Sequence, residues 1–196
     1  MKNRLFAPIA IAAMLLPFTA VAKDVAQQSL IQALQEGGKV IMMRHASTQS
    51  AEPAVSMHLS DGNCAEEQNL SAAGRAEAEA IAQTFAAKGI EVDQVYHSEF
   101  CRAAETATIA FGGGEAWNAL NLAESMDAGE SAFLMMDVEE RMGDFAGSAN
   151  LVMVTHRSNI NTITFQQTEP ADMVILQPDG IGNSEVLGTL PVDALR

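Results

Sequence analysis

Lys39-Val40-Ile41-Met42-Met43-Arg44-His45-Ala46-Ser47-Thr48 carries four apolar residues straight into an Arg-His pair and then into small hydroxyl residues. A continuous apolar run of that length reads as a strand buried on both faces. Such a strand releases its last residues at the carboxyl edge of the sheet, where open α/β sheets bind ligands. A guanidinium and an imidazole placed there suit an anion, above all a phosphoryl group. The competing reading is a strand that ends in two polar surface residues.

The flanks support an alternation of helix and strand. Upstream, Val25, Leu30, Ile31 and Leu34 form a helical stripe that stops at Gly37-Gly38. Downstream, residues 47–69 lose all periodicity; Asp61-Gly62-Asn63 reads as a turn and Pro53 as a helix breaker. A loop this long in a compact domain is functional or tied down. Leu70 to Lys88 then reads as a helix with Ser71 as N-cap, Gly89 as stop, and Ala76, Ala80, Ile81 and Phe85 on its apolar face. Arg75, early on its solvated face, suits a surface ion pair.

Val92 to Tyr96 predicts a second strand, and Glu99 to Phe111 a helix carrying Cys101 and Arg102. Gly112-Gly113-Gly114 reads as a linker. Trp117 to Leu122 is expected as a third strand leading to Glu124 and Asp127. Glu130 to Phe145 predicts a helix with Phe133, Leu134, Met136, Val138 and Met142 facing the core. Leu151 to Thr155 is another apolar strand, ending at His156-Arg157, with a helix from Asn159 to Phe165 after it. Met173 to Leu176 and Glu185 to Leu190 predict strands around the turn Pro178-Asp179-Gly180, as an edge hairpin or a flank of the sheet. The pattern gives an α/β fold: a three-layer sandwich with a mostly parallel central sheet and helices on both faces.

The chain has 196 residues, enough for one domain with a real core, and a formal net charge of −14. That charge disfavours nonspecific nucleic-acid binding and adhesion to anionic membranes. Any anion site must therefore be a local basic recess in an acidic body. Lys2 and Arg4, the apolar stretch from Leu5 to Phe18, and Ala20-Val21-Ala22 predict a signal peptide over residues 1–22, cut after Ala22. The folded domain then spans 23–196, periplasmic or secreted, without a stable membrane anchor after cleavage. In an oxidising compartment the two cysteines, Cys64 and Cys101, pair more often than they stay free; a free buried Cys101 is the alternative. Bridging them would contribute about 3–4 kcal/mol on the chain-entropy model.

Two strands thus end in histidine, His45 and His156, and both are expected at one sheet edge with Arg44 and Arg102. At this point the chain resembles the histidine phosphatase superfamily, the phosphoglycerate-mutase-like branch. The likeness is carried by Met43-Arg44-His45-Ala46; by Asn69-Leu70-Ser71-Ala72-Ala73-Gly74-Arg75 with Ala78; by Val95-Tyr96-His97-Ser98-Glu99-Phe100-Cys101-Arg102-Ala103 with Thr106-Ala107; and by Val154-Thr155-His156 with Asn159-Ile160. The cysteine positions also look like those of an exported subgroup in which the pair is a disulfide.

The resemblance implies that His45 is the nucleophile of a phosphatase acting on phosphomonoesters, with phosphoanhydrides or phosphohistidine as further candidates. His45 would form a phosphohistidine that water later hydrolyses. Arg44, Arg102 and His156 would bind the phosphoryl oxygens, with no metal and no cofactor required. The implied partner is a small phosphorylated substrate. The general acid would be Glu124, with Asp127 as runner-up, although either also reads as a solvated surface acid. Ser47 and Thr48 read as bystanders. The family's glycine after the first histidine is Ala46 here, a mild change unless φ is positive. The competing class is a noncatalytic phosphate or phospho-glycan binding protein that keeps the same recess.

Overall fold

The computed structural model describes residues 18–195 of the chain. Residues 1–17, the greater part of the segment read as a signal peptide, lie outside the described residues.

Helix α1 (Phe18–Glu36) buries Leu30 and Leu34. Strand β1 (Val40–Arg44) follows, with Val40, Ile41, Met42 and Met43 fully buried. Val40 and Met42 belong to one hydrophobic core, Ile41 and Met43 to the other. Successive side chains of a strand point to opposite faces, so burial on both sides explains why this run has no polar alternation. A one-turn helix, α2 (Pro53–Ser56), interrupts the long loop. Pro53 starts this helix rather than preventing one, because its missing N–H costs nothing at a first helical position.

Helix α3 (Ala72–Lys88) begins as expected: the Ser71 hydroxyl accepts the Gly74 N–H at 3.0 Å. It ends at Gly89, whose φ of 64° is the left-handed conformation that glycine adopts without strain. Its buried stripe is Ala78, Ile81 and Phe85, while Ala76 faces solvent. Next come β2 (Val92–His97), α4 (Cys101–Phe111), β3 (Glu115–Ala116), α5 (Ala128–Gly143), β4 (Asn150–Thr155), α6 (Arg157–Thr164), β5 (Met173–Pro178) and β6 (Ser184–Leu190).

These strands form one sheet in the order β3-β2-β4-β1-β5-β6. The β3, β2, β4 and β1 pairings are parallel, and β5–β6 adds an antiparallel hairpin beside β1. Helices α1, α3 and α4 cover one face, packing Leu34, Ile81, Phe85, Ala103 and Ala107 on Ile41, Met43, Val152, Val154 and Ile175. Helices α5 and α6 cover the other, with Val138, Met142 and Ile160 on Val40, Met42, Leu151, Met153 and Val174. Each large aliphatic side chain buried in these layers contributes about 1.5–3 kcal/mol, offset by the entropy of ordering the chain. The result is the expected sandwich with a mostly parallel centre.

Two further expectations fail, each for a local reason. Trp117–Leu122 is not a strand: β3 stops at Ala116, and 3₁₀ turns follow at Asn118–Leu120 and Ala123–Ser125. The carbonyls there are taken by buried side chains instead of a ladder. Thr155 Oγ1 donates to Leu120 O at 2.7 Å, and Asn159 Nδ2 donates to Asn121 O at 2.7 Å. On α5 the core stripe is Met135, Val138 and Met142, which leaves Phe133 and Met136 each 64% exposed.

Candidate active site

Parallel pairing brings three strand ends together. Arg44 sits beside Thr155, and His97 beside Val154. The His45 N–H donates to Thr155 O at 2.9 Å, and the Ser98 N–H to Val154 O at 2.9 Å. His45, Ser98 and His156 therefore leave the sheet side by side. The two imidazoles lie edge to face with centroids 5.3 Å apart. Arg102, the second residue of α4, reaches the same place: Nη2 is 3.4 Å from His156 Nδ1, and the guanidinium stacks 4.3 Å above the Phe100 ring. Arg44 Nη1 donates to Thr168 O at 2.8 Å. Arg44, His45, Arg102 and His156 line one cavity of about 620 Å³, together with Glu124 and Arg157. Arg44 Nε and Arg102 Nη1 are buried donors with no acceptor among the described residues; a phosphoryl group supplies acceptors of the right charge.

Hydrogen-bond direction assigns the protons. His45 Nδ1 is 2.9 Å from Ala46 O, which only accepts, so Nδ1 carries the hydrogen and Nε2 keeps a lone pair. Burial is the main reason the His45 pKa falls from 6.5 to about 3, with the Arg102 and Arg44 charges adding to it and the Ala46 contact opposing it. For His156, Nε2 lies 2.9 Å from Ser98 Oγ. That hydroxyl sits 3.0 Å from Asn121 Oδ1. The Asn121 amide is oriented by the Glu99 N–H, which donates to Oδ1 at 2.8 Å, and by Nδ2 donating to the Glu99 carboxylate at 2.7 Å. Ser98 therefore gives its proton to Asn121, and His156 Nε2 donates to Ser98. The Nδ1 lone pair faces Arg102. Burial, then His45, Arg102 and Arg44, hold the His156 pKa well below its usual value.

The sequence matches the model of the histidine phosphatase superfamily (branch 1) over residues 40–144. The chain belongs to that superfamily. The matched span contains Arg44, His45, Arg102 and Glu124; His156 lies beyond it and is brought in by β4. Similar solved structures include the protein histidine phosphatase SixA complexed with tungstate, at 16% identity over 81% of this chain and 99% of that one, with a TM-score of 0.59. A putative alpha-ribazole-5'-P phosphatase from Escherichia coli gives 15% identity, 79% and 98% coverage and a TM-score of 0.57. A mutant phosphoserine phosphatase from Entamoeba histolytica in complex with phosphoserine gives 15% identity, 81% and 99% coverage and a TM-score of 0.55. At these identities the likeness is one of fold. No curated protein matches the chain in sequence.

In this superfamily member the loop after β1 is held from several sides. The Ala46 N–H donates to Thr106 Oγ1 at 3.1 Å, and that hydroxyl donates to Arg102 O at 2.7 Å, which ties β1 to α4. Among the described residues only Phe165 and Ala171 combine a side chain with positive φ, so Ala46 carries its methyl without backbone strain. Ser47 is structural: its N–H and Oγ both donate to the Glu77 carboxylate at 2.8 Å, and its carbonyl accepts from Ser71 N–H and Oγ at 3.0 and 3.1 Å. Gly74 is required there, because a Cβ would collide with Ser47 O. Thr48 lines the cavity.

A disulfide joins Cys64 to Cys101, pinning the long loop to the residue before Arg102. Glu67 works beside it. This buried carboxylate accepts from the Cys101 N–H at 2.8 Å, and from Ser60 N–H and Oγ at 3.1 and 3.0 Å. It caps α4 from a distance, since the local N-cap, Phe100, offers no side-chain acceptor. Burial lowers the Arg102 pKa to about 10, with the Glu67 charge opposing, so the guanidinium stays charged near neutral pH.

Glu124 enters the cavity on the 3₁₀ turn after Leu122, accepting from Ser158 Oγ at 2.7 Å. The turn is anchored by the Ala123 N–H donating to Asn159 Oδ1 at 3.1 Å. Asp127 is elsewhere; it caps α5 by accepting the Gly129 N–H at 2.9 Å. Arg75 pairs with Glu105 at 2.7 Å on the surface. Sequence reasoning gave no role to Ser98, Asn121, Glu67 or Arg157. Ser98 and Arg157 carried a signal, the first inside the motif that precedes Arg102 and the second next to His156.

Proposed function

We propose that this chain is a phosphatase that hydrolyses phosphomonoesters through a phosphohistidine on His45. The observation that carries the reading is the assigned tautomer of His45: the Nδ1 hydrogen is spent on Ala46 O, which leaves Nε2 as an uncharged nucleophile between two guanidinium groups. Superfamily membership supports it.

In the first step the Nε2 lone pair attacks phosphorus in line with the ester oxygen. The P–O bond breaks, and Glu124 gives its proton to the departing alkoxide. In the second step water attacks the phosphohistidine, Glu124 takes the water proton, and the P–N bond electrons return to Nε2. Arg44 Nε and Arg102 Nη1 donate to the equatorial oxygens, where charge is held in the transition state. His156 takes up a proton at Nδ1 with the bound dianion and becomes a further donor. Metal-independence is part of this proposal, with the Arg44 and Arg102 guanidinium groups supplying the positive charge.

Export is also proposed, with cleavage after Ala22. The disulfide supports it, and no described helix is long and apolar enough to cross a membrane. N-terminal sequencing of the exported form is expected to begin at Lys23.

The activity is tested by phosphate release from a panel of phosphomonoesters, a phosphoanhydride and a phosphohistidine peptide, with the native chain and with His45→Ala. Loss of turnover in the variant supports the nucleophile. Equal rates in both remove the enzyme, and vanadate binding without any turnover supports the noncatalytic binder instead.

A further inference from the structure

A second cavity begins on the far side of Glu124. It encloses about 670 Å³ and is walled mainly by Ala123, Met126, Ala128, Ala132, Met135 and Met136, from the 3₁₀ turn and α5. Glu124 and Ser158 line it too, and these same residues line the cavity that holds Arg44, His45, Arg102 and His156. The two spaces share one wall, the 2.7 Å hydrogen bond from Ser158 Oγ to Glu124 Oε2.

The walls differ in chemistry. Around the histidines the lining is charged and polar; beyond Glu124 it is mostly alanine and methionine, with Ser131, Glu139 and Thr162 among them. Methionine is unbranched and polarizable, and adapts to apolar ligands of irregular shape. Met136, part of that wall, is 64% exposed in a chain whose net charge is −14; Phe133, equally exposed one turn earlier on α5, lies outside the lining. Single exposed apolar residues are ordinary. A groove of them that touches the candidate general acid is not.

The position of that acid fixes the rest. A group that protonates the leaving oxygen must contact it, so the carbon skeleton bonded to that oxygen starts beside Glu124. The apolar groove starts at the same side chain. The geometry points to this groove as the leaving-group subsite, and to substrates whose phosphate is esterified to an apolar alcohol, alkyl or aryl, rather than to a bare polyol. The inference rests on the phosphomonoesterase reading above.

The test is a series of straight-chain alkyl phosphates from methyl to octyl, kept below their micellar concentrations, with p-nitrophenyl phosphate alongside. In the native chain kcat/KM is expected to rise up to about four-fold per methylene until the groove is filled, which corresponds to about 0.8 kcal/mol per buried methylene. Met136→Ser removes apolar wall, and Ala132→Gln narrows the groove; both positions are exposed on α5, so neither change opens the core. Each variant is expected to lower the octyl-to-methyl ratio of kcat/KM, a ratio that is independent of the fraction of active protein. A flat series in the native chain, or a rise that survives both variants, overturns the subsite while leaving the phosphatase reading intact. Absence of turnover on every ester overturns both together.

Discussion

His156 Nε2 lies 2.9 Å from a serine hydroxyl, Ser98 Oγ, whose own proton is committed to Asn121. One nitrogen of the imidazole is thereby fixed from inside the protein, and the other, Nδ1, faces the Arg102 guanidinium at 3.4 Å. All three side chains are buried, so the network has no water to fall back on. Ser98→Ala removes the acceptor for Nε2–H and the donor to Asn121 Oδ1 together. The expected cost is about 1–3 kcal/mol of stability, read from the denaturant midpoint, along with a drop in turnover of at least about ten-fold from a misaligned imidazole. An unchanged midpoint with unchanged turnover would show that the ring is held by packing alone.

Proton inventory gives an independent check on His156. Its Nδ1 is a lone-pair acceptor in the free protein, and the proposed mechanism has it take up a proton when a dianion binds. Calorimetric titration with inorganic phosphate near pH 8, repeated in buffers of different ionisation enthalpy, is expected to show uptake of about one proton per site. Zero uptake would mean that the imidazole already carries hydrogen on the ligand side.

The pKa of His45 falls from 6.5 to about 3, and that of His156 is lowered as well. In the unfolded chain both take up protons as pH falls below about 6.5, while in the folded chain they stay neutral. The folded state is therefore favoured most above that value, and stability drains away as pH falls from about 6.5 towards 3. At pH 5 folded His45 stays predominantly neutral, whereas an ordinary histidine is mostly protonated. Ring carbon proton shifts of His45 are expected to stay flat between pH 7.5 and 5; a titration midpoint near 6.5 would contradict the burial argument.

Glu124→Gln keeps an acceptor for Ser158 Oγ but removes the proton that the proposed mechanism transfers. Turnover of alkyl phosphates is expected to fall by about 10²- to 10⁴-fold. Esters with good leaving groups, such as p-nitrophenyl phosphate, are expected to lose much less in the first step. A uniform loss across both classes would make Glu124 a structural residue.

Arg157 lines the cavity, and its charge acts on Arg44, contributing with burial to a lowered pKa there. No ion pair neutralises Arg157 among the described residues. Arg157→Gln is expected to weaken phosphate inhibition several-fold at low salt and progressively less as salt shortens the screening length to about 8 Å at 0.15 M. Salt-independent weakening would indicate a direct hydrogen bond instead.

The sheet was legible because buried parallel strands advertise themselves. Val40–Met43 and Leu151–Val154 have no polar interruption, and each ends in a histidine that the register then aligns. The helix caps at Ser71 and Gly89 were equally direct. What stayed hidden was whatever depends on contacts distant in sequence. Asn121 looked like part of a strand, yet its carbonyl and side chain are claimed by Asn159, Ser98 and Glu99. Glu67 looked like one acid in an acidic loop, and only the fold shows it capping α4. Apolar residues crowd both sides of α5, and periodicity alone does not say which side faces the sheet, so in the sequence Phe133 and Met136 read as core.

The bond between Cys64 and Cys101 joins positions 37 residues apart, right beside the contact between Glu67 and the Cys101 N–H. Under the proposed export, that bond would form once the chain reaches an oxidising compartment. Reduction would then be expected to loosen the segment around Glu67 and, through the start of α4, to reach Arg102.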